Sequence, residues 1–153
     1  MERIRRNLIG GRPAYTLILY GTNDWNAPQC QDNPNCEVVP NLRTIVETVK
    51  AFDSLPVIGT LIPANPALDP PGRNQWITDV NTLVKSMAAS EGAVVADLNA
   101  AFLKQPNLPS LYSDHLHPND TGYQVMAQAW FDAITHGRIG ASSAAVPCLF
   151  TAP

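Results

Sequence analysis

Two residues with complementary proton chemistry stand three positions apart near the C-terminal end of the 153-residue chain, within the segment Ser113–Asn119. Asp114 supplies a carboxylate and His117 an imidazole, in a stretch with the composition of a loop. At this spacing the carboxylate can hold one imidazole nitrogen and present the other to a reactant. The pattern predicts the general-base half of a hydrolytic triad, although a chance Asp and His in a surface loop have the same spacing.

Polar segments also follow each of three short apolar runs that have the composition of strands. Gly21–Asp24 follows the first run, Pro63–Pro66 the second, and Asp97 stands at the end of the third. In open parallel sheets, ligands bind outside the carboxyl ends of the strands. We therefore expect these segments and the loop with Asp114 and His117 to meet at one edge of a sheet.

The elements that position these residues alternate along the chain. Apolar residues recur at steps of three and four in three segments, which predicts amphipathic helices: Val38–Phe52, Trp76–Met87 and Tyr123–Ile134, the last started by Asn119 or Asp120. The apolar runs have the composition of strands buried on both faces: Tyr15–Tyr20, Val57–Ile62 and Ala93–Leu98. The order predicts an α/β fold, a three-layer αβα arrangement around a short parallel sheet.

Two motifs in this order resemble known sequence blocks. Gly-Thr-Asn-Asp at 21–24 and Asp-x-x-His-Pro at 114–118 are similar to the third and fifth blocks of the SGNH (GDSL-type) hydrolase superfamily. The resemblance covers Pro13 to about Gly137. It implies a flavodoxin-like architecture and hydrolysis of carboxylic esters with short acyl or acetyl groups, with a small-molecule ester as substrate and no cofactor.

The resemblance also implies a role for each matching residue. Asn23 would donate a side-chain hydrogen bond to the oxyanion, and Gly21 would allow the backbone to approach the substrate closely. His117 would act as the general base, with Asp114 as the residue that orients it.

The family's nucleophile has no counterpart in this chain. It is the serine of a Gly-Asp-Ser block that precedes the third block, followed by a glycine block, whereas residues 1–12 contain no serine. We therefore expect an N-terminally truncated domain. Ser113, Ser142, Ser143 or a water activated by His117 are the candidate sources of the attacking oxygen. The alternative is a catalytically inactive remnant that binds a ligand or only assembles.

Two further side chains are candidates for substrate binding. Trp25, next to the first polar segment, could line an acyl or sugar pocket or simply pack, and Asn65 follows the second predicted strand. His115 and His117 alternate near acidic residues, but a His-x-His pair without a third well-placed ligand seldom holds a metal. No metal site is predicted.

The cysteines indicate an oxidising compartment. Cys30 and Cys36 are separated by five loop residues, a spacing that a local disulfide can close, whereas a zinc site would have only Asp32 nearby as a further ligand. Because residues 1–11 lack the apolar stretch of a signal peptide, an export signal would lie outside this chain. We expect the parent protein to be secreted or periplasmic. Cys148 is either a buried small side chain or an intermolecular thiol.

Composition bounds the remaining possibilities. With 45% hydrophobic and 15% charged residues, the chain is predicted to form one globular domain over residues 1–137, followed by a tail over 138–153. Ten Lys plus Arg residues and a net charge of −3 argue against a nucleic-acid partner. No apolar run approaches the roughly 18 residues that a membrane span needs, so no membrane partner is expected.

The missing N-terminal blocks predict self-association. In the resembled fold, the strand predicted at Tyr15–Tyr20 is flanked by the strand that carries the nucleophile. Without that neighbour it becomes an exposed apolar edge, which tends to aggregate or to find a partner. We expect a homodimer or a higher even oligomer whose interface contains this strand.

Overall fold

The computed structural model describes residues 2–137, to which the whole account of the fold refers. The helices are α1 (Glu2–Gly11), α2 (Val38–Ala51), α3 (Pro71–Glu91), α4 (Leu98–Leu103) and α5 (Asp120–His136). The strands are β1 (Tyr15–Ile18), β2 (Leu55–Gly59) and β3 (Val94–Ala96), and two short 3₁₀ helices span Asp24–Asn26 and Leu108–Leu111. The predicted tail lies outside the described residues. No described helix has the length and apolar character needed to cross a membrane.

The three strands form a parallel sheet in the order β1-β2-β3, with Leu17 opposite Val57 and Val57 opposite Val94. Successive side chains of a strand point to opposite faces, and β2 shows this clearly. Ile58 packs into the apolar cluster with α1, α2 and α3, whereas Val57 packs into the cluster with α4 and α5. Helices therefore cover both faces, which confirms the predicted three-layer αβα fold.

The strands are shorter than the apolar runs that predicted them. β2 ends at Gly59, and Thr60–Asn65 continues as a buried loop. The third run contains the start of α4, a helix that was not predicted, where Asp97 accepts a hydrogen bond from the Ala100 N–H at 3.1 Å. Residues of a buried loop or a buried helix turn are as apolar as those of a buried strand, so hydrophobicity alone did not separate them.

Gly59 allows α5 to pack directly on the sheet. A Cβ atom at this position would lie 2.8 Å from the Trp130 ring and 2.9 Å from the Leu98 side chain. Any larger residue would push α5 away from β2. The loop before α5, which carries Asp114 and His117, depends on this packing for its place over the sheet.

A disulfide joins Cys30 and Cys36, whose Cα atoms are 5.2 Å apart. Both cysteines are buried in the cluster that includes α2 and α3. The loop between them contacts α3, where the indole N–H of Trp76 donates to the Asn33 carbonyl at 3.1 Å. The disulfide thus closes a small loop that is fixed against α3.

Reduction of this disulfide is expected to lower the free energy of unfolding by about 2 kcal/mol, because a short closed loop restricts the unfolded chain. Denaturant unfolding of the oxidised and reduced protein measures the difference. The Cys30→Ala/Cys36→Ala double variant serves as the control, since reductant should leave its unfolding curve unchanged. Alkylation of both thiols in the unreduced, unfolded protein, detected by intact mass, would contradict the pairing.

Candidate active site

Asp114 and His117 form a hydrogen-bonded pair in the loop that precedes α5. His117 Nδ1 lies 2.8 Å from Asp114 Oδ2, and Asp114 Oδ1 accepts hydrogen bonds from the backbone N–H groups of Leu116 and His117, both at 2.7 Å. This leaves Nε2 as the imidazole nitrogen available to a reactant. The side chain of His117 is 72% exposed.

The backbone explains why Asp114 stays charged. The N–H groups of His117 and Leu116, followed by the His117 side chain, hold the pKa of the Asp114 carboxyl well below its usual range. Hydrogen bonds to the ionised form have this effect because they are lost or weakened when the carboxyl is protonated. An ionised Asp114 fixes the ring orientation of His117 and stabilises the imidazolium that forms when His117 accepts a proton.

The same loop is held at both ends. Asn119 caps α5 by accepting a hydrogen bond from the Gly122 N–H at 3.1 Å, as predicted for the start of the last helix, and its amide donates to the Ser110 carbonyl at 2.9 Å. The backbone N–H of Ser113 donates to the His117 carbonyl at 2.8 Å. Asp114 and His117, the dyad, therefore lie on a closed turn whose shape is fixed by hydrogen bonds within the turn.

The loop after β2 is hydrogen-bonded to the loop that carries the dyad. The Asn65 backbone N–H donates to the His115 carbonyl at 2.9 Å, and the Asn65 side-chain amide donates to the Asp114 carbonyl at 3.3 Å. The Tyr112 hydroxyl donates to the Pro63 carbonyl. Burial raises the pKa of Tyr112, so this hydroxyl keeps its proton and remains a donor.

Two asparagines of α3 were missed by sequence reasoning. Asn81 bonds both the N–H and the carbonyl of Leu61, at 2.7 and 2.8 Å, and Asn74 does the same to Ala64, at 2.8 and 3.1 Å. A signal existed, because these residues stand seven positions apart on a helix face that is otherwise apolar. Buried polar residues on such a face indicate hydrogen bonds to neighbouring backbone.

Gly21 shapes the turn after β1. Its φ of +122° is disfavoured for other residues, and a Cβ atom there would lie 3.1 Å from the Val38 side chain. Its carbonyl accepts a hydrogen bond from the Asp24 N–H at 3.0 Å. Asn23 is exposed at the tip of this turn, and its side-chain amide makes no hydrogen bond to any of residues 2–137.

Asn23 and His117 face the same cleft, which has a volume of about 200 Å³. The rest of the lining is Leu19, Thr22, Ile62, Leu116, Pro118, Tyr123 and Met126, and it is mainly apolar. A free amide donor and a free imidazole nitrogen thus meet beside a small apolar space. That combination can bind an acyl group, stabilise a negative oxygen and move a proton.

The two residues predicted to bind substrate are not part of the cleft lining. Trp25 is partly buried beneath the guanidinium of Arg73, whose central carbon lies 4.4 Å from the ring centroid. Asn65 is buried, and its side chain bonds the Asp114 carbonyl and the Ala67 N–H. The structure uses both side chains for internal contacts, and direct contact of either one with substrate stays a prediction.

The attacking group is not identified within the described chain. Among residues 2–137, Asp114 is the one hydrogen-bond partner of the His117 ring. Ser142 and Ser143 lie outside the described residues. Over the same residues, no three His, Cys, Asp or Glu side chains are placed to hold a metal ion.

The loops after β1 and before α5 thus bring an amide donor and an imidazole to one cleft, the two kinds of group that hydrolysis at a carbonyl carbon requires. The chain belongs to the GDSL-like lipase/acylhydrolase family, whose sequence profile matches residues 1–125. No curated protein matches the sequence.

Solved structures share the fold. A catalytic mutant of Axe2, an acetylxylan esterase from Geobacillus stearothermophilus, superposes with a TM-score of 0.70 at 22% identity, covering 88% of this chain and 65% of its own. A GDSL-like lipase from Bacteroides thetaiotaomicron gives 0.68 at 23% identity, covering 87% and 67%. A lipolytic GDSL-family protein from Veillonella parvula gives 0.68 at 20% identity, covering 88% and 72%. This chain therefore spans about two thirds of the length of the Axe2 structure.

The carboxyl of Asp114 is expected to remain ionised as the pH falls through about 4, the ordinary range for aspartate. A depressed pKa means that its contribution to folding is present above the unfolded-state pKa and is lost as the pH falls toward the lower folded-state value. The carboxyl carbon chemical shift of Asp114, followed by NMR from pH 6 to 2, measures this. A titration midpoint near 4 would contradict the role assigned to the backbone N–H groups.

Proposed function

We propose that this chain carries the base and oxyanion machinery of a carboxylic-ester hydrolase that acts on short acyl or acetyl esters. The observation that carries the proposal is the shared cleft, into which both Asn23 and His117 project. Family membership supports the reaction class. The volume of about 200 Å³ favours an acetyl or short acyl group over a long chain.

The proposed reaction moves one proton at His117. Nε2 takes the proton of the attacking hydroxyl or water as its oxygen bonds the carbonyl carbon, and the electron pair of the C=O bond moves to oxygen. The Asn23 amide donates to this oxyanion while Asp114 stabilises the imidazolium. When the tetrahedral intermediate collapses, the C=O bond re-forms, the C–O bond to the alcohol breaks and the imidazolium returns the proton to the leaving oxygen. Attack by water gives the acid directly, whereas an attacking hydroxyl keeps the acyl group until a water repeats the same steps.

The Ser113 hydroxyl makes no hydrogen bond to the His117 ring, so we propose that the attacking oxygen belongs to a group outside residues 2–137 or to a water. General-base assistance alone supplies about 10² to 10⁴-fold, which is enough for slow hydrolysis of activated esters. The absence of a serine partner for the His117 ring within the described residues favours a second candidate function, binding of an acylated ligand without turnover.

Hydrolysis of para-nitrophenyl acetate by the purified chain is expected to fall at least tenfold in His117→Ala, which removes the base, and about 10² to 10³-fold in Asn23→Ala if that amide is the principal oxyanion donor. His115→Ala is the matched control, since it removes a neighbouring imidazole from the same loop and should keep the rate. The octanoate ester should react more slowly than the acetate.

Equal rates for the parent, His117→Ala and His115→Ala would contradict the proposed base. The hydrolysis would then be nonspecific catalysis by the protein surface. Saturable binding of an acetylated ligand that depends on Asn23, with no turnover above that of His117→Ala, would favour the binding function instead.

We also propose that the parent protein is secreted or periplasmic. The support is the bond between Cys30 and Cys36, since structural disulfides persist in oxidising compartments.

For assembly, we propose a homodimer whose interface contains β1, the edge strand of the three-stranded sheet. Within residues 2–137, β1 pairs with β2 alone, and three apolar side chains at or just after this strand are exposed: Leu17, Leu19 and Tyr20. A groove of about 290 Å³ runs between α1 and β1. A second copy can cover such an edge by a two-fold, self-complementary contact.

Light scattering at tens of micromolar is expected to give the mass of a dimer or a higher even oligomer, and Leu17→Lys should shift it toward the monomer because a charge at a strand edge opposes pairing. Leu103→Lys, at an exposed leucine of α4, is the control and should keep the parent mass. A monodisperse monomer of the parent chain would refute the dimer.

A further inference from the structure

Arg73 is a charged residue that the proposed reaction does not use, yet its side chain is only 4% exposed. It lies in the first turn of α3, where the helix dipole disfavours a positive charge. Arginine is also seldom buried to this extent unless it is paired. A positive charge at a helix N-terminus and a buried guanidinium are both unfavourable, which indicates that the Arg73 side chain is needed to fix the segments packed around it.

The Arg73 guanidinium contacts the turn that carries Asn23. Arg73 stacks on the Trp25 ring, and its Nη2 donates to Asn26 Oδ1 at 2.5 Å. Trp25 and Asn26 belong to the 3₁₀ helix that follows Asn23, and the Asn26 N–H donates to the Asn23 carbonyl at 3.1 Å. The position of the exposed Asn23 amide therefore depends on where Arg73 holds this short helix.

Arg73 also contacts the loop after β2, which is hydrogen-bonded to the loop of the dyad. Arg73 Nε lies 3.3 Å from Asp69 Oδ2, and the Asp69 side chain is itself 2% exposed. The Asp69 N–H donates to the Asn65 carbonyl at 3.0 Å. Asn65 in turn bonds the carbonyls of His115 and Asp114. A continuous series of contacts thus runs from Arg73 to the loop that carries His117.

We infer that Arg73 is a positioning residue that fixes the Asn23 amide relative to the His117 imidazole across the cleft. The catalytic part of this inference rests on the proposed function. A planar guanidinium can stack on Trp25, donate one N–H to Asn26 and place a second nitrogen within ion-pair distance of Asp69. Lysine keeps the charge but offers a single nitrogen, so Arg73→Lys separates the geometry from the charge.

In Arg73→Lys, kcat for the aryl acetate is expected to fall at least tenfold with KM changed less than threefold, because small displacements of catalytic groups cost up to about 10²-fold. In the Asn23→Ala background the same change should cost a smaller factor, below threefold, since one of the two positioned groups is gone and only the loop with His117 can still be displaced. An equal factor in both backgrounds would be the signature of general destabilisation and would overturn the inference.

Asn26→Ala is the second variant, and it protects the test against a misfolded Arg73→Lys. Asn26 is exposed, and the substitution removes only one of the contacts of Arg73. It should lower kcat by a smaller factor that is again reduced in the Asn23→Ala background. Persistence of that factor would count against the inference.

NMR provides a readout that does not need activity. Arg73→Lys should shift backbone amide resonances in both residues 21–27 and residues 114–117. Arg43→Lys is the matched control, because Arg43 pairs with Glu91 at the far end of α3 and should leave both segments unchanged. Shifts that stop at the direct neighbours of Arg73 overturn the inference even if the chain hydrolyses esters. Shifts that reach both segments support it even if the parent chain is inactive and the proposed function fails.

Discussion

The segment Thr60–Ile62 leaves the sheet at the end of β2 but stays buried, so its peptide groups still need hydrogen-bond partners. The Thr60 N–H reaches the Ala96 carbonyl of β3 at 3.0 Å. Side chains serve Leu61: Asn81 bonds both of its peptide groups, and the Asn99 amide adds a second donor to the Leu61 carbonyl at 3.0 Å. An unpaired buried peptide group costs about 1 to 3 kcal/mol. This buried loop is therefore the constraint on which the site depends.

The consequences extend outward from that loop. Because Asn81 and Asn74 fix Leu61 and Ala64, the next residue, Asn65, has a fixed place from which to bond the carbonyls of Asp114 and His115. The side chains of the dyad are exposed, whereas Asn65 and Asn81, which fix the loops around it, are buried. This arrangement suits a general base, since Nε2 must reach a reactant while the imidazole ring must keep one orientation.

Sequence reasoning predicted the parts of the molecule that local chemistry determines. Hydrophobic periodicity identified α2, α3 and α5 because each buries a continuous apolar face. The pairing of Asp114 with His117 followed from a spacing of three within a loop, and the Asn119 cap from its place before a helix. Each of these depends on residues close together in the chain.

What could not be predicted depends on contacts between distant segments. The strand ends could not be located, because the loop after β2 and the start of α4 are buried like strands. Arg73 reads as an ordinary surface charge, since its neighbours Trp25 and Asn26 are nearly fifty positions away. Asn65 is predicted to contact substrate, but its bond to the Asp114 carbonyl, 49 positions away, could not be foreseen. Single polar residues such as Arg73 and Asn65 give no periodic signal that would identify their distant partners.

The dyad and the proposed oxyanion donor, Asn23, are positioned by different means, and this explains how both arrangements can be present without an identified nucleophile. Asp114 is fixed by backbone N–H groups two and three residues further along, and Asn65 of the loop after β2 bonds the same segment. Asn23 follows the Gly21 turn after β1, and its neighbour Asn26 contacts Arg73 of α3. Among residues 2–137, neither arrangement uses a serine hydroxyl. A hydroxyl delivered to the cleft from outside residues 2–137 would meet a base and an amide donor that are already in place. Preorganisation of this kind lowers the reorganisation needed at the moment of reaction.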